Sequence, residues 1–416
     1  MVPEPKPHAE PALRGTVLMR RIVARDRDEE HRVASPLELL VDLCFVVAVA
    51  QVAAELHHAV ADDNIREALP GFLMVFFAIW WAWMNFTWFA SAYDTDDVAY
   101  RLLTLVQMAG VLVLAAGVPA AFDRRDFLLV TLGYTVMRVP LVVQWLRVCR
   151  DHPERRRTGR LYVAGIALGQ ALWLGRLLLP APWGLVAFPI LVVLEVLVPV
   201  VAERTGGRTP WHPGHIAERY GLFTLIVLGE VILASTTSVQ AAAEAHGLSA
   251  SLLLVAVGGL LTVFGMWWLY FKRSVEDTLR LSTRSAFVWG YAHYLVFGAV
   301  AAVGAAVGVA ADVARHEAQV PTRGADLALA GAVAAYLLVL GALHAWSFRT
   351  PVVAVRSASA AVVLLLLAAP GPDVGIMTLL VGLVVATLVA VHVALDRPRQ
   401  GPSSRRPATR RHTVGR

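Results

Sequence analysis

The sequence predicts an all-α fold, a polytopic bundle of about twelve helices that cross a membrane. Of its 416 residues, 57% are hydrophobic and 16% are charged, whereas about 25% of an ordinary soluble domain is charged. A helix needs about 20 mostly apolar residues to cross a bilayer, and twelve such runs make up more than half of the chain. This composition excludes a soluble enzyme, a disulfide scaffold and a disordered protein. It also argues against a membrane β-barrel, whose strands alternate polar and apolar residues.

The twelve apolar runs define the predicted spans. The fifth run is interrupted by Arg176, and the eleventh is short and contains Arg356. The spans are, in order, residues 37–57, 71–91, 102–122, 127–148, 161–179, 183–202, 220–240, 251–271, 287–311, 327–347, 352–369 and 374–395. They form one transmembrane domain, 37–395. A polar segment, 1–36, precedes it, and a basic tail, 396–416, that we expect to be disordered follows it.

The positive charge of the chain is concentrated in alternate loops. With the N-terminus placed in the cytoplasm, 29 of the 37 Lys and Arg residues fall in cytoplasmic segments, when Arg147 at the cytoplasmic end of the fourth span is counted with them, and five fall in external loops. Short cytoplasmic loops of membrane proteins are enriched in Lys and Arg, so both termini are expected to be cytoplasmic. This orientation in the lipid bilayer explains the net charge of +6, and no nucleic-acid partner is expected.

The start of the first span carries two carboxylates. Ser35 and Pro36 form a favourable helix start, the first as N-cap and the second at the first helical position. Glu38 then lies in the first turn, where the helix dipole stabilises an anion, and Asp42 lies one turn deeper, about 6 Å further in. A carboxylate at that depth costs on the order of 3 kcal/mol unless it is paired or hydrated. Asp42 is therefore expected to belong to a cation or proton pathway, or to pair with an Arg of a neighbouring helix.

A second polar segment precedes the seventh span. His215, Glu218 and Arg219 are spaced to lie on one face of a helix start. The pair of His215 and Glu218 could in principle ligate a metal, but no second His–carboxylate pair lies nearby, so no metal is expected. The alternative is an interfacial helix cap in which Glu218 and Arg219 form a charged surface cluster. The two cysteines, Cys44 and Cys149, also suggest no metal site, and we expect no cofactor.

Three charged residues fall near the middle of predicted spans. Arg138, Glu195 and Glu230 each lie roughly eleven residues into a run of about 20. Charges at this depth usually face the interior of a bundle or a water-filled cavity. Pro140 follows Arg138 and Pro199 follows Glu195, and a helix break beside a charge is typical of transporter sites. We expect the three charges to face one interior cavity, either as a transport site or as an ion-pair network that holds the bundle together.

Histidines and tryptophans add further signals. Among the histidines in or near spans, His293 is the best candidate for a proton relay because it lies inside a span, and a hydrogen-bonded packing role is the alternative. Trp80, Trp81, Trp83 and Trp88 run through the second span. We expect them to pack and to form interface belts, with a cage for a cationic substrate as the alternative.

The two polar segments together resemble the bacterial low temperature requirement A (LtrA) family. The patterns E-L-x-x-D-L-x-F and H-x-x-E-R-Y-G-L-F…L-G-E of that family are matched at Glu38, Leu39, Asp42, Leu43 and Phe45 and at residues 215–230. By helix count the resemblance extends to about residue 395. The chain departs from the family at Val41, where an aromatic residue is common. The resemblance implies an inner-membrane protein associated with growth in the cold, and it implies no agreed reaction, substrate or cofactor.

The ends of the second and eighth spans read alike. In each, aromatic residues are followed by acidic residues and then by an Arg-Leu pair, over residues 83–102 and 268–281. This similarity suggests two six-helix halves of the same orientation, 37–202 and 215–395, related by an axis along the membrane normal.

Twelve spans, the suggested repeat and the charges at mid-depth favour a secondary transporter or permease for an unknown small solute. A cation channel and a non-transporting membrane protein that supports growth in the cold are the alternatives. An enzyme is least supported, because the sequence contains no G-x-S-x-G, H-E-x-x-H or P-loop motif. The candidate residues of a solute or ion pathway are Glu38, Asp42, Arg138, Glu195, His215, Glu218, Arg219, Glu230 and His293.

Overall fold

The structure, a computed structural model, describes residues 18–26, 29, 33–180, 182–244 and 249–395. Within these residues the chain forms fourteen α-helices and no strand, which confirms the predicted all-α fold. The predicted disordered tail, 396–416, lies outside the described residues. We call the end of the bundle at which the first helix begins the proximal end, and the opposite end the distal end.

Successive long helices alternate in direction along the bundle. In chain order the helices are α1 (Pro36–Ala61), α2 (Ile65–Tyr93), α3 (Val98–Ala116), α4 (Val118–Asp123), α5 (Leu128–Asp151), α6 (Arg156–Arg176), α7 (Trp183–Gly206), α8 (Pro213–Glu244), α9 (Ala250–Phe271), α10 (Glu276–Leu281), α11 (Thr283–Ala314), α12 (Thr322–Phe348), α13 (Pro351–Ala368) and α14 (Val374–Leu395).

Eleven of the described helices are long and apolar enough to cross a membrane, so the chain is a multi-pass membrane protein. The helix α6, which contains most of the predicted fifth span, is less apolar because arginines crowd its first turns. It nevertheless runs along the length of α7. The Thr158 hydroxyl donates to the carbonyl of Gly207 (3.1 Å) at the proximal end, and Arg176 Nε donates to the carbonyl of Gly184 (2.7 Å) at the distal end. The described residues therefore form twelve long helices, one for each predicted span, of which eleven are apolar enough to be candidate membrane spans.

Two predicted spans differ from the observed helices. The third, 102–122, is divided at Gly117 into α3 and the short helix α4. Pro119 lies in the first turn of α4, where a missing N–H is tolerated. In the interior of one continuous helix the same residue would interrupt the backbone hydrogen bonds. The seventh begins earlier than its apolar run, because α8 starts at Pro213 and the polar residues 215–219 form its first turns.

The helix α1 contacts α2, α3, α8 and α11. Two pairs of helices approach closely at glycines. A Cβ at Gly110 of α3 would lie 2.8 Å from the carbonyl oxygen of Gly133 in α5, and a Cβ at Gly382 of α14 would lie 2.7 Å from the carbonyl oxygen of Gly258 in α9. Small residues at these positions let the backbones pack directly, as is common between membrane helices.

The predicted relation between two six-helix halves stays a prediction. The first helix of the first half, α1, contacts the next two long helices, α2 and α3. The first helix of the second half, α8, likewise contacts α9 and α11, which fits two similar halves. However, α9 packs extensively against α14, whereas α2 reaches α7 through large side chains such as Phe77, whose ring lies 6.2 Å from that of Phe188.

Part of the polar N-terminal segment is bound to the proximal end of the bundle. The backbone N–H of Arg20 donates to Asp97 Oδ2 (2.8 Å), and the backbone N–H of Ile22 donates to Asp151 Oδ2 (3.0 Å). We call residues 18–26 the N-terminal strap. The strap connects the start of α3 to the end of α5, which the polar composition of the segment did not predict.

A buried ion pair lies beneath the strap. Arg147 Nη2 is 2.5 Å from Asp97 Oδ2. Burial by itself would raise the pKa of Asp97, but hydrogen bonds from the Arg147 side chain and from the backbone of Arg20 and of α3 hold that pKa below its usual value. Asp97 also caps α3, so one carboxylate joins the strap, α3 and α5.

Candidate functional site

Two charged contacts join α1 to α8 near the proximal end. Glu38 Oε1 lies 3.1 Å from His215 Nε2, and Arg219 Nη2 lies 2.7 Å from Asp42 Oδ1. Both helices begin at this end and the partners are four residues apart on each, so the contacts lie one above the other. We call these four residues the α1–α8 ladder. All four side chains are at most 1% exposed, so the expectation that Arg219 forms part of a surface cluster is wrong.

The local sequence positions both acids of the ladder. Ser35 and Glu38 form a capping box, in which Glu38 Oε2 accepts from the N–H of Ser35 (2.8 Å) and Ser35 Oγ accepts from the N–H of Glu38 (3.3 Å). Asp42 Oδ1 also accepts a hydrogen bond from Trp83 Nε1 (2.8 Å) of α2. Glu38 therefore has its predicted place in the first turn and also faces His215, and Asp42 has the predicted Arg partner.

The contact between Arg219 and Asp42 is held mainly by charge, because not all of its polar atoms are hydrogen-bonded. Asp42 Oδ2 and two nitrogens of Arg219, Nε and Nη1, have no hydrogen-bond partner within the described residues. Removing one partner of a buried ion pair costs about 3–5 kcal/mol, because the other charge is left without compensation. The ladder is therefore a fixed point between α1 and α8 that depends on both charges.

A second buried ion pair lies between α5 and α7. Arg138 Nη2 is 2.9 Å from Glu195 Oε2, and both side chains are almost fully buried. Glu195 also accepts hydrogen bonds from Trp81 Nε1 (2.7 Å) and Trp173 Nε1 (3.1 Å), and Arg138 contacts the hydroxyl and the ring of Tyr134. Arg138 thus has an acidic partner, as the sequence predicted. Both oxygens of that acid are bonded, which is typical of a structural cluster.

The helix α2 lies between the two charged clusters. Trp83 donates to Asp42 of the ladder, and Trp81, two residues earlier, donates to Glu195. The sequence predicted packing roles for these tryptophans and missed their indole N–H groups as donors to buried acids. The available signal was the depth of the acids, since buried carboxylates require donors from neighbouring helices.

Glu230 joins neither cluster. It lies further along α8, partly exposed, and its Cβ faces Gly304 of α11, where an added Cβ would be 3.0 Å away. Within the described residues its carboxylate has no ion-pair or hydrogen-bond partner. The helix α8 contacts α1, α2, α9, α10 and α11 rather than α5 or α7. The structure therefore separates Glu230 from Arg138 and Glu195, in contrast to the prediction that the three face one cavity.

A cavity of about 450 Å³ lies among α8, α9, α10, α11 and α12 toward the proximal end. We call it the proximal cavity. Its polar and aromatic wall includes Glu218, Tyr270, Arg273, Ser274, Glu276, Trp289, His293 and His344. Two predicted candidates, Glu218 and His293, meet here from different helices. The sequence reasoning missed Arg273, Glu276 and His344, because polar residues near span ends resemble ordinary interfacial residues.

His293 lies deep in the proximal cavity and is fully buried. Its Nδ1 is 2.7 Å from the carbonyl oxygen of Trp289, and its Nε2 is 2.9 Å from the hydroxyl of Tyr270. Because a carbonyl only accepts, Nδ1 carries the proton and donates, and Nε2 of the neutral ring accepts from Tyr270. His293 therefore has the hydrogen-bonded packing contacts of the second alternative, and it also lines a cavity. A proton relay at this position stays a prediction.

The acids of the cavity wall have partners of their own. Glu276 pairs with Arg280 (2.7 Å), and Glu218 Oε1 accepts from a backbone N–H just before α1 (3.4 Å). The guanidinium of Arg273 lies over the ring of Phe348, 5.2 Å from its centroid. The cavity therefore carries charges of both signs, and its acidic side is the side formed by α8 and α10.

The described residues contain no group of three or more His, Cys, Asp or Glu side chains that could hold a metal ion. The spacing of His215 and Glu218 raised the question of a metal. In the structure His215 faces Glu38 in the ladder, while Glu218 lines the proximal cavity. The two side chains thus belong to different sites on α8.

Comparison with known proteins supports the resemblance seen in the sequence. The family model described as bacterial low temperature requirement A protein (LtrA) matches residues 33–395, which include the ladder and the proximal cavity. The chain belongs to the LtrA family. An uncharacterized protein of Rhizobium meliloti (strain 1021) is 28% identical over 299 residues, 66% of this LtrA chain and 69% of the relative.

Proposed function

We propose that this LtrA protein is a secondary transporter that binds a small solute in the proximal cavity. The cavity is the observation that carries the proposal, because about 450 Å³ falls within the range of about 300–1,000 Å³ typical of small-molecule sites. In the proposed orientation both termini are cytoplasmic in the cell membrane, so the cavity lies toward the cytoplasmic end of the bundle. The proposal includes no enzymatic reaction.

The depth of the proximal cavity supports transport. His293 lies about 15 Å along α11 from its first residue, which is a large part of a hydrocarbon core of about 30 Å. Beyond it, rings of α8 and α11 pack together, with 6.0 Å between the centroids of Tyr220 and Phe297 and 5.0 Å between those of Phe223 and Phe297. A cavity near the proximal end with packed rings on its distal side fits a transporter that faces the cytoplasm.

The helix α8 connects the cavity to the ladder. His215 and Arg219 face α1, whereas Glu218 and Gly221 line the cavity from the other side of α8. Any displacement of α8 that closes the cavity must therefore shift the ladder or exchange its partners. We infer that the ladder helps to hold the cytoplasm-facing arrangement, since paired contacts between packed helices are elements with discrete alternative states.

The experiment uses purified protein in liposomes loaded with a defined mixture of amino acids, carboxylates, organic amines and sugars. Mass spectrometry then measures which solutes leave through the protein under a pH or sodium gradient. Leu222 lines the cavity and Leu338 is exposed on the bundle surface, so Leu222→Trp fills the site and Leu338→Trp is its matched control. We expect at least one solute to be released by the wild type and by Leu338→Trp. Release should fall at least about tenfold in Leu222→Trp.

The two alternative functions give different results. A potassium conductance that is independent of solute and unaffected by Leu222→Trp would favour a cation channel. Retention of every solute and of potassium by folded wild-type protein would favour a non-transporting membrane protein. Either result would contradict the proposal.

A further inference from the structure

A carboxylate buried at the distal end of the bundle has no partner. Asp326 lies in the second turn of α12, and the backbone N–H of Val320, just before that helix, donates to the carbonyl of Ala61 (2.9 Å) at the end of α1. Asp326 is 0% exposed. Within the described residues neither of its oxygens accepts a hydrogen bond, and no basic side chain pairs with it. A buried carboxylate in this state is unfavourable as an anion, and such a group normally becomes neutral by binding a proton.

A second acid lies beside Asp326 at the surface. Asp373 immediately precedes α14, is exposed, and acts electrostatically on Asp326. The helices α12 and α14 contact each other, and both begin at the distal end. A Cβ at Gly371, two residues before Asp373, would lie 2.8 Å from the Cβ of Arg323 in the first turn of α12. The loop that carries Asp373 is therefore packed against the start of the helix that carries Asp326.

The surroundings of Asp373 favour its ionised form. Its Oδ1 accepts from the backbone N–H groups of Gly375 (3.0 Å) and Ile376 (3.1 Å) at the start of α14. The same oxygen accepts from the hydroxyl of Ser251 (3.3 Å), next to the start of α9. Where two neighbouring acids have such different surroundings, the solvated and hydrogen-bonded acid takes the charge and the dry acid keeps the proton.

The other charged groups around this part of α12 have partners elsewhere. On α11, Asp312 pairs with Arg315 and with His57 of α1. On α13 the charged residue is Arg356, which lies toward the proximal end of that helix. The acid that precedes α14 is thus the charged group that faces Asp326, and it repels a second negative charge.

We propose that Asp326 binds a proton at the distal end of the bundle, and that this proton is the coupling ion of the transporter. The coupling role rests on the proposed function, whereas the proton site does not. In the proposed orientation the proton arrives from the external side, where the exposed anion Asp373 raises the local concentration of cations. One O–H bond forms at the Asp326 carboxylate when the proton binds, and the same bond breaks when it leaves.

The helix α12 connects the proton site to the proximal cavity. Leu340, Leu343 and His344 of this helix line the cavity, and Leu340 lies about 21 Å along the helix from Asp326. Loss of the proton places an uncompensated charge between α12 and its neighbours, which favours a different packing of that helix. The proton and the solute therefore act on one rigid element, as coupling between two sites requires.

The first arm measures the Tm of purified protein in neutral detergent from about pH 5 to about pH 9, in choline chloride and in NaCl at equal ionic strength. Asp326→Asn removes the titrating group, and Asp123→Asn is the matched control at an exposed acid at the end of α4. The folded protein holds a proton that the unfolded chain releases, so stability falls as the pH rises. The wild type and Asp123→Asn should lose at least about 2 °C relative to Asp326→Asn over this range.

The second arm detects the proton directly by infrared spectroscopy, which needs no comparison of stability. We expect the C=O band of a protonated carboxyl group at neutral pH in the wild type and in Asp123→Asn. This band should shift in D₂O, disappear at high pH and be missing from Asp326→Asn. Absence of the band, or Tm curves that stay parallel in all three proteins, would overturn the proposal. A rise in Tm with NaCl that is lost in Asp326→Asn would also overturn it, in favour of a sodium ion.

The third arm tests coupling in the liposomes described for the proposed function. Asp326→Asn should reduce solute accumulation driven by a pH gradient at least about tenfold, while it still exchanges solute in the absence of a gradient. Undiminished accumulation in Asp326→Asn would refute the coupling role. Solute transport that is lost in Leu222→Trp but ignores the pH gradient would also refute coupling and leave the proposed function intact. The infrared band without any solute transport would support the proton site and contradict the proposed function.

Discussion

The contact between Asp42 and Arg219 gives the sharpest prediction about the ladder. The change Asp42→Asn keeps the shape of the side chain and an oxygen that accepts from Trp83, but it removes the negative charge. Arg219 is fully buried and its guanidinium lies 2.7 Å from Asp42 Oδ1. The substitution therefore leaves a buried cation without its counter-charge.

The expected magnitude follows from the pairing. Stranding one member of a buried ion pair costs about 3–5 kcal/mol, and because Asn keeps an acceptor we expect about 3 kcal/mol for Asp42→Asn. The change Arg219→Gln strands the acid and should cost a similar amount. The double variant removes both charges, so it should cost about 3 kcal/mol in total, and the coupling energy is then about 3 kcal/mol. A coupling energy of this size changes the equilibrium constant of unfolding roughly a hundredfold.

The measurement is the free energy of unfolding in lipid bicelles for the wild type, the two single variants and the double variant. Trp83→Phe is the control, because it removes the hydrogen bond to Asp42 without changing charge and should cost about 1 kcal/mol for that bond. Additive effects, with the double variant near 6 kcal/mol, would refute the reasoning, and so would Asp42→Asn with wild-type stability.

Three further predictions follow from other parts of the molecule. Reporter fusions at His152 and Gln319 should report the cytoplasmic and the external side respectively, and the same side at both would contradict the topology. Glu195→Leu should destabilise the folded protein by about 3–5 kcal/mol in the same unfolding assay, because it strands Arg138; unchanged stability would show that the pair is not needed. Since the pKa of Asp97 is lowered on folding, its contribution to stability is present above its unfolded value and is lost as the pH falls through its folded value. The stability difference between wild type and Asp97→Asn should therefore shrink below about pH 4, and a difference constant from pH 7 to pH 3 would contradict this reasoning.

The helical architecture was predictable because the bilayer restricts the choice of structure. An apolar run of about 20 residues must satisfy its backbone hydrogen bonds internally, which makes each run a helix. What hydropathy did not predict was local. It missed the break at Gly117. It also missed the strap, residues 18–26, whose backbone N–H groups donate to Asp97 and Asp151 at the helix ends.

The candidate site was predictable only in part, because the partners come together through tertiary packing. The depth of Arg138 and Glu195 indicated that each needed a partner, and they are paired. The pairing of Glu38 with His215 joins residues far apart in the chain and depends on how α1 and α8 are aligned, which no local pattern encodes. Glu230 has the same depth as the others, but its face of α8 is directed at α11. Periodicity gives the face of a helix and not the identity of its neighbour.

Transport by alternating access requires that the proximal cavity is a solute site reached from one side of the membrane at a time. The protein has two cysteines, Cys44 and Cys149, so replacing both with Ala gives a cysteine-free background. Into it we would place Leu340→Cys, in the cavity wall, or Leu338→Cys, two residues earlier and exposed on the bundle surface. A membrane-impermeant maleimide is then applied to sealed vesicles from either side.

Two-sided labelling of Leu340→Cys is the most direct test. We expect Leu340→Cys to react rapidly from the cytoplasmic side and more slowly from the external side. Leu338→Cys should be unreactive from both sides because it faces lipid. Reaction of Leu340→Cys from neither side would contradict the accessible cavity, and reaction from the cytoplasmic side alone would contradict transport by alternating access.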